Sequence, residues 1–296
     1  MNSATDERVA KRLQRALDRG EVQLCYQPKI HVVSGAITGV EALSRWHDDE
    51  LGEVPPSAFV GVAERCGLID ELTDTVLRSA LAQWTAWRDQ GLRVRLAVNV
   101  SALTLRDVYL PDQIQRLCMR EGMACEYLTI EVTESATQNV VRLLDTLSRL
   151  RLKGFSVSLD DFGTGYSSLI QLRQLPYSEI KIDQCFVRDS SRSRESRLIV
   201  KAVIDLAHGL GLSATAEGVE DAHTLALLGE LGCDEAQGYF VGRPMRGADF
   251  VEWLLHSGRV FADSHEAPPL PRGFVPRKAH TVPLPAPEPA EHERAG

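Results

Sequence analysis

Two rhythms of apolar and polar residues alternate along this chain. Short aliphatic runs predict strands over VQLCYQ (22–27), ITGVEALSRW (37–46), RLAVNV (95–100), YLTIEV (127–132), FSVSLD (155–160), EIKID (179–183), LSATAE (212–217) and CDEAQGYF (233–240). Between them, apolar residues recur at i, i+3, i+4 and i+7, which predicts helices over LTDTVLRSALAQWTAWRD (72–89), VVRLLDTLSRLRL (140–152) and SRLIVKAVIDLAHGL (196–210). Eight strands with helices between them over about 250 residues is the element count of a TIM-like (β/α)8 barrel. A doubly wound open sheet competes on element order, but it places a glycine-rich turn after its first strand, and YQPKIHVVSG (26–35) is not one.

The pattern also sets the expected boundaries. Residues 1–20 predict one short amphipathic helix packed on the barrel, residues 21–260 the barrel itself, and residues 261–296 a separate tail. The stretch APPLPRGFVPRKAHTVPLPAPEPAEHERAG holds eight of the fourteen prolines and few aliphatics, so it cannot bury enough apolar surface to offset its ordering entropy. It reads as a disordered tail, first of all a solubilising or vestigial one; as the lesser alternative its PLPAPEP portion favours polyproline II and offers a docking segment for a protein partner.

Strands buried on both faces should be almost wholly apolar, so the polar exceptions carry information. Glu41 interrupts GVEAL, Asn99 ends LAVN, Glu131 ends LTIE and Asp160 ends SVSLD; Lys181 lies in EIKID, Glu217 ends SATAE and Gln237 lies in DEAQGY. Glu41 and Gln237 are 196 positions apart over six intervals (237 − 41), close to the roughly 30 residues of one strand-helix unit. In a barrel, such strand ends converge on one mouth. Taken singly, any of the acids is more often a helix cap or a surface ion-pair partner; seven polar positions in register at strand ends are hard to attribute to chance.

Charge sharpens this picture. The 296 residues carry a net charge of −8, which argues against a protein that coats a nucleic-acid polymer. No apolar run approaches the roughly 18 residues of a membrane span, and the polar start MNSATDERVAKR does not read as a signal peptide. Six scattered cysteines without a CxxC pair read as reduced thiols, so a cytoplasmic location is expected. Against that background Glu41, Glu131, Asp160, Asp161 and Glu217 converge with Lys181 as the single cation of the set. Like charges so placed must protonate or find cations. Hard oxygen donors with an asparagine amide suit Mg2+ or Mn2+ rather than zinc, and adjacent Asp160 and Asp161 suit a pair of ions acting on a phosphodiester. The triplet Asp161-Phe162-Gly163 also mimics a kinase motif, but no nucleotide loop accompanies it.

At these residues the sequence resembles the EAL-domain cyclic-di-GMP phosphodiesterases, over roughly residues 8 to 256. The shared motifs are YQP (26–28), EALSRW (41–46), NVS (99–101), EVTES (131–135), DDFGTGYSSL (160–169), KID (181–183), AEGVE (216–220) and QGY (237–239). The resemblance implies a first strand antiparallel to the others. It implies Glu41, Asn99, Glu131 and Asp160 as ligands of one metal ion, and Asp160, Asp161 and Glu217 as ligands of a second, with Asp160 shared. By the same likeness Lys181 is catalytic, placing or activating the attacking water, with Glu217 and Glu41 beside it. Gln27, Leu43 and Arg45 hold the dinucleotide; Asp183 and Gln237 also match site positions. Glu134 braces the loop carrying Gly163, Thr164 and Gly165, and Glu220 supports the Glu217 region. The implied reaction converts cyclic di-GMP to linear 5'-pGpG with Mg2+ or Mn2+, two ions per site, and inhibition by Ca2+; a homodimer is implied as well. Two further readings remain open: a silent cyclic-di-GMP receptor or protein-interaction module, and a magnesium-dependent barrel lyase. The filled metal and lysine positions favour the enzyme.

Overall fold

The computed structural model describes residues 3–133, 140–163 and 169–261. Among the described residues nine strands are formed: β1 (Val22–His31), β2 (Ile37–Asp48), β3 (Gly52–Val54), β4 (Leu96–Asn99), β5 (Leu128–Thr133), β6 (Ser156–Phe162), β7 (Glu179–Ile182), β8 (Ser213–Ala216) and β9 (Glu235–Gln237). Their hydrogen-bonded order is β1-β9-β8-β7-β6-β5-β4-β2-β3, and β1 also pairs with β2, so eight strands close into a barrel with β3 appended to β2. All eight predicted strands are present. The pairs from β2 through β4 to β9 are parallel, whereas β1 runs antiparallel to both β2 and β9.

The reversal of β1 has a local cause. A regular barrel has a strand-helix unit at each step, but only five residues separate β1 from β2 (32–36). A parallel return needs a crossover of a dozen or more residues. Here Gly35, at φ 68, donates to the His31 carbonyl at 2.9 Å, and the chain turns straight back as a hairpin. The three-residue β3 is too short to show as a periodic signal.

Helices cover the barrel on the outside. The helix Ile69–Arg88 buries Ile69, Leu72, Val76, Leu77, Ala80, Leu81, Trp84 and Trp87, the i, i+3, i+4 stripe that the sequence displays. Trp87 meets Tyr26 of β1 edge-on at 4.8 Å and donates its indole N–H to the Gly247 carbonyl at 2.9 Å, locking this helix against the closing strand. Helices Val140–Leu152 and Arg194–Gly209 lie where periodicity puts them. The latter opens on Ser193, whose hydroxyl accepts from the Ser196 N–H at 3.1 Å.

The helix Ser3–Arg19 buries Leu13, Ala16 and Leu17. Arg12 grips Asp48 at the end of β2 at 2.7 Å, and Arg65 of the helix Pro56–Cys66 reaches Asp6 at 2.8 Å. At the other end, Phe261 bridges to Ile37; residues 262–296, which hold the proline-rich tail, lie outside the described residues.

Candidate active site at the barrel mouth

Strand side chains alternate with a period of two, so positions i, i+2 and i+4 share a face. In this barrel the inward face is polar on strand after strand: Gln27 and Lys29 on β1, Thr129 and Glu131 on β5, Ser156, Ser158 and Asp160 on β6, Glu179 and Lys181 on β7, and Thr215 on β8, all buried. The upper layer of this interior holds the candidate site. Lys181 Nζ lies 3.2 Å from Glu41, 2.9 Å from Glu131, 3.1 Å from Asp160 and 2.7 Å from Glu217. Thus one ammonium, fully buried, sits among carboxylates delivered by four other strands or strand ends.

The carboxylates sort into two groups. Oxygens of Glu41, Glu131 and Asp160 lie within 4.8 Å of one another, as do those of Asp160, Asp161 and Glu217. Asp160 belongs to both. Consecutive strand residues would normally face opposite ways, and the backbone solves this at Asp161. Between the pairs Leu159↔Ile180 and Phe162↔Ile182, β6 advances three residues and β7 two, which is a bulge of one residue. Asp161 takes φ 57, and among the described residues it is the non-glycine with positive φ. Such a conformation costs about 1–3 kcal/mol and is found where function or packing demands it. Here it turns Asp161 toward the same mouth as Asp160. Gly163 follows at φ 103, where an added Cβ would lie 2.7 Å from the Phe186 ring.

Amides complete the ring. Asn99 donates to Glu41 at 2.7 Å and reaches Glu131 at 3.5 Å. Gln237 donates to Glu41 at 2.7 Å and to Gln27 at 3.1 Å, while Gln27 donates to the Gly242 carbonyl at 3.1 Å. The Gln237 amide oxygen is buried without a hydrogen-bond partner among the described residues.

The proton balance shows a shortage of positive charge. Burial pushes Glu217 up to about 8, with repulsion from Asp160 and Glu41 adding to it against the pull of Lys181. Burial and the Glu41 charge raise Glu131 well above the usual carboxylate range. Asp161 is pushed up to about 6 by burial and by Asp160. Burial also works against the Glu41 carboxylate, yet Lys181, Lys29 and the Gln237 and Asn99 amides hold it down at about 2. For Lys181, burial favours loss of the proton, but Asp160, Glu131, Glu217 and Glu41 prevail and keep the ammonium charged. Six carboxylates, those of Glu41, Glu131, Asp160, Asp161, Glu217 and Glu179, face two ammonium groups, Lys181 and Lys29. An all-oxygen donor set in deficit of positive charge, shared through Asp160, fits two hard divalent cations.

Above the ring opens a cleft of about 310 Å3, lined by Gln27, Glu41, Leu43, Arg45, Asp160, Glu217, Glu220, Gln237 and Tyr239 among others. Arg45 donates to the Ser44 carbonyl at 2.8 Å along its wall. Asp183 caps the helix Gln184–Asp189, accepting from the Cys185 N–H at 2.8 Å, and its carboxyl also meets that of Asp161 at the edge of the ring. Glu220 pairs with Arg188 at 2.8 Å. Glu134, Thr164 and Gly165 lie outside the described residues.

Several site neighbours escaped the sequence pattern. Arg188 and Tyr239 line the cleft, and Lys29 and Glu179 lie beneath the ring. Lys29 follows Gln27 by two positions and Glu179 precedes Lys181 by two, so the period-two rule applied downward from each polar strand end would have found both.

Residues 10–244 match the EAL domain family. A cyclic di-GMP phosphodiesterase of Pseudomonas aeruginosa is 41% identical over 232 residues, covering 78% of this chain and 40% of that protein. The cyclic di-GMP phosphodiesterase PdeR of Escherichia coli is 38% identical over 242 residues, covering 81% of this chain and 36% of that one. Among solved structures, the PaMucR phosphodiesterase in complex with c-di-GMP superposes with a TM-score of 0.77 at 38% identity, covering 82% of this chain and 99% of that chain. The chain thus spans about two-fifths of the length of these curated relatives. It belongs to the EAL domain family.

Proposed function

We propose that this chain is a metal-dependent phosphodiesterase that hydrolyses one ester bond of cyclic di-GMP to give linear 5'-pGpG. The observation that carries this reading is the pair of carboxylate groups sharing Asp160, with Lys181 in their midst, at the floor of the cleft. The relatives named phosphodiesterases and the c-di-GMP complex of PaMucR supply the substrate class.

Glu41, Asn99, Glu131 and Asp160 would hold one Mg2+ or Mn2+, and Asp160, Asp161 and Glu217 the other. Such a pair, when bound, supplies Lewis-acid polarisation of a phosphoryl oxygen and a water nucleophile at neutral pH. Lys181, held charged by its four carboxylate neighbours, can donate a hydrogen bond to the attacking water or to a phosphoryl oxygen and fixes its position. Glu217, 2.7 Å from Lys181 Nζ, would help to hold the second ion and fixes the ammonium beside it. Glu41 is held ionised chiefly by Lys181 and oriented by Gln237 and Asn99. On the cleft wall Arg45 offers a cation to a phosphate, and Gln27, Leu43 and Gln237 border the space for the bases. The homodimer and the partner at the proline-rich tail remain part of this proposal on the family likeness and the tail composition alone.

The test is incubation of the purified chain with cyclic di-GMP and Mg2+ or Mn2+, following pGpG by chromatography. Product should form and should vanish in Glu41→Ala, whose side chain belongs to the polar ring and not to the aliphatic layer between barrel and helices. Binding of cyclic di-GMP without product in either metal would instead make the chain a receptor.

A further inference from the structure

Beneath the ring of carboxylates lies a second, buried charge pair that the proposed reaction does not use. Lys29 Nζ is 3.2 Å from Glu131 Oε1 and 3.7 Å from a carboxylate oxygen of Glu179. Glu179 is itself anchored by the Thr215 hydroxyl, which donates to it. Lys29 and Glu131 are both buried, with Glu131 wholly inaccessible. A bulge marks this point of the barrel: from Lys29↔Gly39 to Ile30↔Ile37, β2 advances two residues while β1 advances one. Bulges re-aim side chains, and this one lies where β1 sends an ammonium into the interior.

The two oxygens of Glu131 therefore meet different partners. Oε1 is taken from below by Lys29, whereas Oε2 faces Lys181 at 2.9 Å and Asn99 at 3.5 Å, on the side of Glu41 and Asp160. Lys29 thus holds Oε1 turned away from the other ring carboxylates and leaves Oε2 as the oxygen presented to a cation there. That distinction matters between divalent ions. Mg2+ asks for six ligands at about 2.0–2.1 Å and is served by single carboxylate oxygens, whereas Ca2+ takes 6–8 oxygens at about 2.3–2.6 Å, often two from one carboxylate.

We propose that Lys29 is a positioning residue that sets metal selectivity: by capping Oε1 it restricts Glu131 to one-oxygen ligation and disfavours Ca2+ relative to Mg2+ and Mn2+. The inference rests on the reading of Glu131 as a metal ligand. A second consequence is orientational, because groups that hold a ligand in place commonly contribute about 10–100-fold in metal affinity.

Mn2+ binding to the purified full-length chain can be followed by electron paramagnetic resonance of the free ion, and Ca2+ can be titrated in as competitor. The quantity read is the Ca2+ concentration that displaces half the Mn2+, relative to Mn2+ affinity. In Lys29→Met this relative concentration should fall at least about tenfold, by the same magnitude that such neighbours exert on affinity. Lys29→Gln, which keeps a hydrogen-bond donor of similar reach, should retain most of the wild-type preference. If Lys29→Met does not fold because Glu179 is left unpaired, the double variant Lys29→Met/Glu179→Gln removes both charges of the lower pair, an exchange that buried ion pairs tolerate. The same ratio is then read on that variant. An unchanged ratio in a folded Lys29→Met or double variant that still binds Mn2+ overturns the role of Lys29 alone. A wild-type chain that binds no Mn2+ overturns the metal reading of the site and this inference with it.

Discussion

Replacing Lys181 by methionine removes the single cation that touches four carboxylates while leaving the side chain's length almost unchanged. Its ammonium stands 2.7, 2.9, 3.1 and 3.2 Å from Glu217, Glu131, Asp160 and Glu41, and the thioether can replace none of these ion pairs. Breaking a buried charge pair by deleting one partner costs about 3–5 kcal/mol, because the remaining charge stays desolvated. With four carboxyl groups losing their shared partner in one deletion, the upper value of about 5 kcal/mol is the expected size. For a domain of this size each kcal/mol shifts Tm by about 2–4 °C, so Lys181→Met in chelator should melt about 10–20 °C below wild type at pH 8. The deficit should shrink toward pH 5, where protons replace the missing cation. Added Mg2+ should restore much of the stability, since it supplies charge to the same oxygens. It should not restore turnover, which should stay about 10²–10⁴-fold down if Lys181 handles the water or the phosphate. Scanning fluorimetry and the pGpG assay read the two effects separately. A Lys181→Met protein that melts within about 2 °C of wild type in chelator at pH 8 would refute the charge balance argued for this ring.

The raised pKa values of Glu217 (about 8) and Asp161 (about 6) predict a pH signature for the metal-free protein. Unfolded, such groups release their protons near about pH 4, so the folded state binds more protons above that point. Their stabilising contribution is full below about pH 4 and is lost as pH rises through about 6 and then about 8. Thermal shift on adding Mg2+ should accordingly be larger near about pH 9 than near about pH 6, and a shift independent of pH would contradict the proton balance of the site. Ca2+ should inhibit hydrolysis, since its longer bonds of about 2.3–2.6 Å spread the two-ion arrangement; full turnover in Ca2+ alone would count against it. Gly238→Ala should lower stability by about 3 kcal/mol, read as a fall in urea midpoint, because backbone atoms must yield to the new methyl group. Its Cβ would lie 2.2 Å from the backbone N and O of Val219, in the loop that follows Glu217.

Strand positions were legible because barrel strands are short, aliphatic and separated by helices with a distinct period, and all eight were located within a few residues. The ring residues were legible for a related reason. A charged group in or at the end of an apolar strand has no cheap burial, so Glu41, Glu131, Asp160, Lys181 and Glu217 stood out singly, and their regular spacing tied them together. Asp183 shows what that logic leaves out. It follows Lys181 by two positions in KID, and its carboxylate both caps the helix Gln184–Asp189 and meets Asp161. Local sequence does not reveal that one acid serves its own backbone and a ring neighbour together.

By itself, then, the order of apolar and polar positions determined the barrel class, the eight strands that close it and the carboxylates and lysine of its ring, since period and burial are properties of neighbouring residues. Tertiary structure alone decided the rest. It shows Asp160 common to two groups of carboxylates, because proximity across strands depends on register and on the bulge before Phe162. It shows adjacent Asp160 and Asp161 turned to one mouth, which a regular strand forbids and the φ of 57 at Asp161 permits. It also brings Lys29 beneath Glu131, 102 positions away in the chain, because closing the barrel places β1 across from β5.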